Sequence, residues 1–468
     1  MVLRSASMDT PSVTPKALAK TEQALKTAEN DEQSLIGGWG RVMVPGREVR
    51  DENLERLTAD AVLCRGLGRS YGDSSLPPPG VPAVAGTTLA DRVLSFDPES
   101  LVLRAEAGLS LRALLRVFFP KGYFVPVTPG TTFVTLGGMV ASDVHGKNHH
   151  CAGTFGEHVR ALKMRVADGR IVECSPEVHA DLFWATIGGM GLTGHILEVE
   201  FTMVKIPSPW IYMESERVPN VDAYMSGLAQ AAEAFPMTMG WIDVLSSGDK
   251  LGRGILMRGR WAEPGEAPEH FPEPKSRPGV PFVFPQFALN PLSVKLFNEA
   301  YYRKPLASGV IHPEPFFWPL DAIHDWNRIY GPRGFTQYQC VLPKSAGTDA
   351  ARRFLELLSS LGGASFLCVI KDCGAEGRGL LSFPMDGISI ALDIPVRDDT
   401  QALVDKLNEH VIADGGRIYL TKDNYTRPEH FAAMEPRLEA FMEVRKRWDP
   451  ELRFRSAQSV RIFGDPVG

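Results

Sequence analysis

The sequence predicts an α+β protein built from two domains. Three observations lead there. The chain has 468 residues, and at roughly 100–200 residues per domain that length holds two or three. From about residue 37 to about 205 the chain is dense in glycine and short apolar runs, a pattern of strands, tight turns and short helices. From about 207 to 415 strand-like runs alternate with helical ones, which suits a sheet covered by helices. Hydrophobic residues make up 44% and charged residues 23%, so the chain buries an ordinary core without disulfide or metal staples.

Taken in order, residues 1–34 are rich in Lys, Ala, Thr, Glu and Ser. Pro15 to Glu32 has no wide apolar face, and the segment reads as a mobile extension. Residues 35–206 form the first part of one domain. Leu101 to Ala107 alternates as a strand; Ser110 then caps a helix whose Leu111, Leu114 and Leu115 share a face. Val159 to Val166 and Ile171 to Glu173 flank Asp168-Gly169, a strong hairpin turn signal. Residues 207–416 form the second domain, opening at Pro207 and Pro209, with a long Pro-rich loop from Pro264 to Pro285. Its strands are expected at Gln337 to Leu342, Phe366 to Ile370 and Ile388 to Ile394, its helices at Ala350 to Leu361 and Thr400 to Ala413. Residues 417–468 return to short motifs, with an amphipathic helix around Ala432 to Arg445.

The net charge is −6, from 50 basic and 56 acidic residues. That balance argues against a nucleic-acid binder, which usually carries a basic excess or stripe. Six cysteines stand without paired CxxC sets, the pattern of thiols in a reducing compartment. Met1-Val2-Leu3-Arg4 opens no apolar signal-peptide core, and no stretch of about 18 apolar residues suggests a membrane span. A cytoplasmic protein is expected, with a peripheral contact to the inner membrane left open.

Gly189-Met190-Gly191-Leu192-Thr193-Gly194 matches GxGxxG. A dinucleotide fingerprint of that form follows a strand and opens a helix, so that the pyrophosphate meets the helix N-terminus. Here a helical run precedes the glycines and a strand pattern, His195 to Val204, follows them. The order is reversed, and the motif reads as a helix-to-strand turn.

Three other segments carry chemistry. Arg65-Gly66-Leu67-Gly68-Arg69-Ser70-Tyr71-Gly72-Asp73 packs three glycines into seven residues. Such turns let main-chain N–H groups converge on an anion, while Ser70 donates and Asp73 accepts. Pro126 to Gly130 and Thr135 to Gly138 follow. Ser142 to His150 then gathers His145, His149 and His150 around Lys147 and Asn148. A metal site is not expected: His149 and His150 are adjacent and point apart, and no ligand set completes them.

These segments, in this order, resemble the vanillyl-alcohol-oxidase superfamily of FAD enzymes. The resemblance is closest to its decaprenylphosphoryl-β-D-ribose 2′-oxidase family. It is carried also by Phe183-Trp184-Ala185-Thr186, Gly191-Leu192-Thr193-Gly194, Trp326-Asn327-Arg328, Tyr330-Gly331-Pro332, Gln337-Tyr338-Gln339 and Lys422-Asp423. It runs from about Gly37 to the C-terminal segment and implies a split FAD domain, 35–206 with 417–468, enclosing the substrate domain. It assigns cofactor contacts to Arg65, Gly66, Leu67, Gly68, Arg69, Ser70, Tyr71, Gly72, Asp73 and Ser74, and to Gly130. Further contacts fall on Thr135, Leu136, Gly137, Gly138, Ser142, Asp143, Val144 and His145, with Ile196 and Tyr419. Arg69 stands where covalent members carry a flavin-linking histidine, which implies non-covalent FAD.

The resemblance implies oxidation of the C2′ hydroxyl of a polyprenyl-phosphate-linked ribose. A short-chain reductase would then complete epimerisation to arabinose for cell-envelope polysaccharide, and oxygen or a quinone would take the electrons. Lys422 is the first candidate to bind or deprotonate the hydroxyl and His145 the second; for Lys422 a plain surface cation is the competing reading. Lys147, Trp241, Phe317, Gln337, Gln339, Lys371, Ser389 and Ala391 are expected around the substrate. Gln337 and Gln339 share a strand face, and Lys371 is placed to meet a lipid-linked phosphate. Two departures stand out. Ala391 replaces a cysteine of mycobacterial members, so covalent capture by nitroaromatic inhibitors is expected to be lost. Phe317 replaces a usual tyrosine, expected to remove a hydroxyl from the pocket. Two other readings stay open: an FAD oxidase of free alditols or aldonolactones, and a flavin-binding protein without turnover.

Overall fold

The computed structural model describes residues 34–273, 277–362, 365 and 367–467; all but one residue of the 1–34 extension lies outside them. The first part holds two larger sheets beside the two-stranded pairs Leu35–Gly37 with Met43–Pro45 and Tyr123–Phe124 with Val204–Lys205. Arg47–Arg50, Ala83–Gly86 and Cys64–Arg65 form a small parallel sheet with Ala83–Gly86 in the middle. Ile171–Cys174, Val159–Arg165, His195–Thr202, Val102–Glu106 and Val93–Asp97 form, in that order, a five-stranded antiparallel sheet.

Local sequence accounts for these elements. Leu103 and Ala105 alternate inward on their strand and are fully buried. The Ser110 hydroxyl accepts from the Ala113 N–H and caps helix Leu111–Phe118. That helix buries Leu111, Leu114, Leu115 and Phe118, one apolar stripe at helical spacing. The Asp168-Gly169 hairpin forms as expected, with Gly169 in the left-handed region at φ +89°.

The second part is an eight-stranded antiparallel sheet. Its order is Gly309–Ile311, Ile211–Val218, Gly254–Trp261, Met237–Ile242, Cys368–Cys373, Gly387–Pro395, Phe335–Pro343 and Arg417–Ile418. Period two divides the central strands. Tyr338, Cys340, Leu342, Ile390, Leu392, Cys368 and Ile370 face a core with helices Val221–Ala234, Ala350–Ser360 and Thr400–Ala413. Gln337, Gln339, Ala391, Val369 and Lys371 face the other way, into a cleft.

The Pro-rich stretch 264–285 holds no helix or strand among its described residues; Gly279 makes one isolated bridge to His324. The single helix expected around Ala432 to Arg445 is instead two, Pro428–Met434 and Leu438–Trp448. Pro436 explains the break: the residue before a proline is pushed out of the helical region, and Glu435 sits at φ −117°, ψ 91°. After Ile418 the chain packs back on the first part. Arg453 donates to the carbonyls of Ala59 and Ala167, and Arg461 pairs with both Asp73 oxygens at 2.8 Å.

Candidate active site

A cleft with an empty volume of about 2040 Å³, open mouth included, separates the glycine loops of the first part from the polar face of the eight-stranded sheet. One end is lined by Gly66, Leu67, Gly68, Arg69, Ser70, Tyr71 and Ser74, by Gly130, and by Thr135, Gly137 and Gly138. A Cβ on Gly130 would meet nothing within 4 Å, so its absence leaves open space for a ligand. The Ser74 hydroxyl is buried beside this space without a hydrogen-bond partner among the described residues. A buried hydroxyl left so carries a cost unless a ligand meets it.

Arg65 contributes main chain here. Its guanidinium is spent on Glu48 (2.7 Å), the Gly37 carbonyl (2.6 Å) and Ser75. Gly68, at φ +61°, is required for that arrangement, because a Cβ would lie 2.0 Å from the Arg65 guanidinium. Arg69 stacks its guanidinium 3.9 Å from the Trp39 ring centroid and 4.8 Å from that of Phe133.

Four expected contact residues sit behind the surface. Asp73 accepts from Arg461, which holds the C-terminal segment on the loop, so its oxygens are not offered to a hydroxyl. A Cβ on Gly72 would lie 1.8 Å from the Asp423 carbonyl oxygen, so this glycine serves chain packing. Leu136 is fully buried core. Asp143 accepts from the Gly156 N–H and the Ser382 hydroxyl, and burial pushes its carboxyl up to about 6. Ser142, Val144, His145, Ile196 and Tyr419 do line the cleft.

The far end is polar. Lys422 Nζ lies 3.8 Å from the Tyr71 ring centroid. Burial pushes its pKa down to about 7; Lys371 acts the same way and Asp393 opposes. Asp393 is fully buried, accepts from the Gln337 amide (2.6 Å) and the Tyr330 hydroxyl (2.7 Å), and is raised by burial to about 6. The Gln339 amide donates to His145 Nε2 (3.0 Å) and Ser389 Oγ (3.1 Å). Burial, with Lys371 second, holds the His145 ring well below the usual histidine range, so the ring stays neutral. Its Nδ1 is buried and unpartnered among the described residues.

Three expected substrate residues do not reach the cavity wall. Lys147 donates to the Phe317 carbonyl at 2.9 Å; burial and then Lys371 lower it to about 7. The Phe317 ring packs among Phe124, Trp261 and Trp318, so the absent tyrosine hydroxyl is missing from an aromatic core and not from the cleft. Trp241 is buried against Tyr301, one strand removed from Val369, which does line the cleft.

Several residues at the site were not among those expected. Asp321 accepts from the Thr131 hydroxyl (2.6 Å) and from the Thr132 N–H and hydroxyl (2.8 Å each), clasping the segment after Trp318 over the Gly130 loop. Nothing local marks it, since its partners lie 190 residues away. Asp393 was legible: it is the charged member of its strand and shares the parity of Ser389 and Ala391. The GxGxxG segment is a helix-to-strand turn, between Ala180–Thr186 and His195–Thr202, yet its Met190, Gly191 and Gly194 line the cleft.

A glycine-lined trough continuous with a wall of amides, hydroxyls and partly deprotonated lysine defines an FAD-binding oxidoreductase. The FAD binding domain family matches residues 57–175. The chain is 35% identical over 415 residues to a decaprenylphosphoryl-β-D-ribose oxidase of Mycolicibacterium smegmatis, covering 86% of this chain and 89% of the relative. The chain belongs to the decaprenylphosphoryl-β-D-ribose oxidase family of FAD-dependent oxidases. It is also 31% identical over 371 residues to an uncharacterized protein in the mprA 5′ region of Streptomyces coelicolor, 76% of this chain and 100% of that one. A Δ(24)-sterol reductase of Rattus norvegicus shares 26% identity over 112 residues, 24% of this chain and 22% of the relative.

Proposed function

We propose that this enzyme oxidises the C2′ hydroxyl of a polyprenyl-phosphate-linked ribose to the keto sugar. The observation that carries the reading is the pairing, on one cleft, of a glycine-lined trough with a wall that presents Lys422, Gln337, Gln339 and Lys371. The relative named for decaprenylphosphoryl ribose supports the substrate class. Bound FAD supplies the hydride acceptor. The residues suited to hold it are those of the glycine loops that line the cleft, Gly66 to Tyr71 with Ser74, then Gly130, Thr135, Gly137 and Gly138, then Ser142, Val144 and His145, with Ile196 and Tyr419 beside them. The loop position of Arg69 offers no imidazole for a covalent link, so the cofactor is held non-covalently.

Lys422 takes the hydroxyl proton. With its pKa at about 7, a large share is free amine at neutral pH, as a base needs. Gln337 is braced by Asp393 and Gln339 by Ser389, which fixes both amides toward the sugar. Lys371, on the same wall, pairs with the phosphate. The keto product then requires a separate short-chain reductase to set the arabinose configuration, and oxygen or a quinone to accept the electrons.

The test is the visible spectrum of the purified holoenzyme under anaerobic titration. Polyprenyl-phosphoryl ribose should bleach the flavin absorbance. Bleaching by a free alditol but not by the lipid-linked sugar overturns the reading in favour of an alditol oxidase. Bleaching by neither leaves a flavin-binding protein without turnover.

A further inference from the structure

Helix Pro291–Arg303 turns its leucines outward. Its inward stripe is Val294 and Asn298, and the Asn298 amide donates to Asp243 at 2.7 Å within a network that includes Arg253. Leu292 and Leu296, one turn apart on the opposite face, are 67% and 65% exposed. This inverts the usual pattern of a helix on a water-soluble protein, which buries its apolar stripe. The loop before it adds Phe287, 78% exposed, and Phe282, 61% exposed. Large exposed apolar side chains gathered in one short stretch of chain mark an interaction surface.

We propose that this face docks the enzyme on an anionic lipid membrane beside the cleft mouth. The purpose rests on the lipid-linked substrate reading; the surface itself does not. Two arguments select a bilayer as the occupant. Charge is the first. Lys295 and Lys304 stand on the helix and just after it, Arg303 pairs with Glu299, and Glu299 is the sole acid between residues 278 and 313. Basic residues beside exposed Leu and Phe suit anionic headgroups above acyl chains. A second copy meeting the same patch about a two-fold axis would set like charge against like.

Continuity with the site is the second argument. The Phe284 N–H donates to the Arg328 carbonyl and the Val280 N–H to the His324 carbonyl, which ties the loop to the Ile323–Trp326 segment lining the cleft. From the helix, Phe297 stacks on Tyr301 with ring centroids 5.8 Å apart, and Tyr301 packs on Trp241 at 4.8 Å. Trp241 is the sheet partner of Val369 in the cleft wall. A packed line of aromatic side chains thus joins this helix to the strand beside the cleft wall.

Flotation of the holoenzyme with extruded vesicles tests the proposal. The wild type should float with phosphatidylcholine–phosphatidylglycerol vesicles and less with pure phosphatidylcholine. The variant Leu292→Glu/Leu296→Glu should lose about tenfold or more of that binding. Both positions are exposed, so its flavin absorbance and its reduction by detergent-dispersed substrate should match the wild type. Wild-type protein that stays off the vesicles overturns the proposal, as does a variant that floats equally well. Sedimentation velocity checks the rival occupant: a dimer that the variant dissociates, without vesicle binding, assigns the patch to a second copy. Flotation without flavin reduction by the dispersed substrate would sink the substrate reading and leave the docking surface standing.

Discussion

Lys422 places its ammonium nitrogen 3.8 Å from the centroid of the Tyr71 ring, a position that favours the charged form, in a site whose burial favours the neutral one. Burial prevails: the pKa is lowered to about 7 from an ordinary value of 10.5. A lysine balanced in this way can hold a hydroxyl in one state and deprotonate it in the other.

The first prediction follows from that balance. The proton-accepting form of Lys422 is the neutral amine, so the rate of anaerobic flavin reduction should rise with pH through about 7 and level off above it. Lys422→Ala should retain flavin and lose about 10²–10⁴-fold in the rate of reduction. Stopped-flow absorbance across pH 5.5–9, a window of about 1.5–2 units on either side of the pKa, reads both. Wild-type reduction rates in the alanine variant would remove Lys422 from the chemistry.

Asp393 works against burial by raising the Lys422 pKa. Asp393→Asn keeps an acceptor for the Tyr330 hydroxyl and removes the charge. The rising limb of the pH profile should then move to lower pH, by up to about one unit. A limb that stays in place would show that the carboxylate braces Gln337 and does not tune the lysine.

Gly130 borders open space in the trough. Gly130→Val should leave the thermal midpoint of the apoprotein nearly unchanged, since a Cβ there meets no protein atom within 4 Å. It should weaken FAD uptake about tenfold or more, as a side chain intrudes on the ligand. Titration of apoprotein with FAD, followed by flavin fluorescence, measures the loss. Gly68→Ala gives the contrast: there the clash is with Arg65, and the apoprotein itself should melt lower.

Ala391 faces the cleft between Gln339 and Val369. Cys64, the one cysteine on the lining among the described residues, has its thiol raised by burial to about 12 and is no nucleophile at neutral pH. Intact-mass measurement after turnover with a nitroaromatic inhibitor should therefore show no adduct on the wild type. Ala391→Cys should gain one.

The polar wall shows how far sequence reaches. Strand parity alone puts Gln337, Gln339, Ser389, Ala391 and Asp393 on one face, and the register of the paired strands agrees. Asp73 shows the limit. Its place in a glycine-rich loop suggested a ligand acceptor, yet a bidentate Arg461 from the last helix, 388 residues away, occupies both oxygens. Phe317 and Leu136, which the resemblance assigned to the site, are buried away from the cleft lining, since a match of residues does not say which side of the wall a side chain takes.

Local sequence determined the α+β class, the strand and helix periodicities, and the glycine turns whose main chain lines the trough, because these depend on backbone freedom and on side-chain spacing over a few residues. Tertiary structure alone decided that Lys422 is buried, that Arg65 and Asp73 are consumed by structural partners, that Asp321 clasps the Gly130 loop, and that a leucine face is left outward. Each depends on which distant segments meet, and both desolvation and ion pairing are set by that meeting.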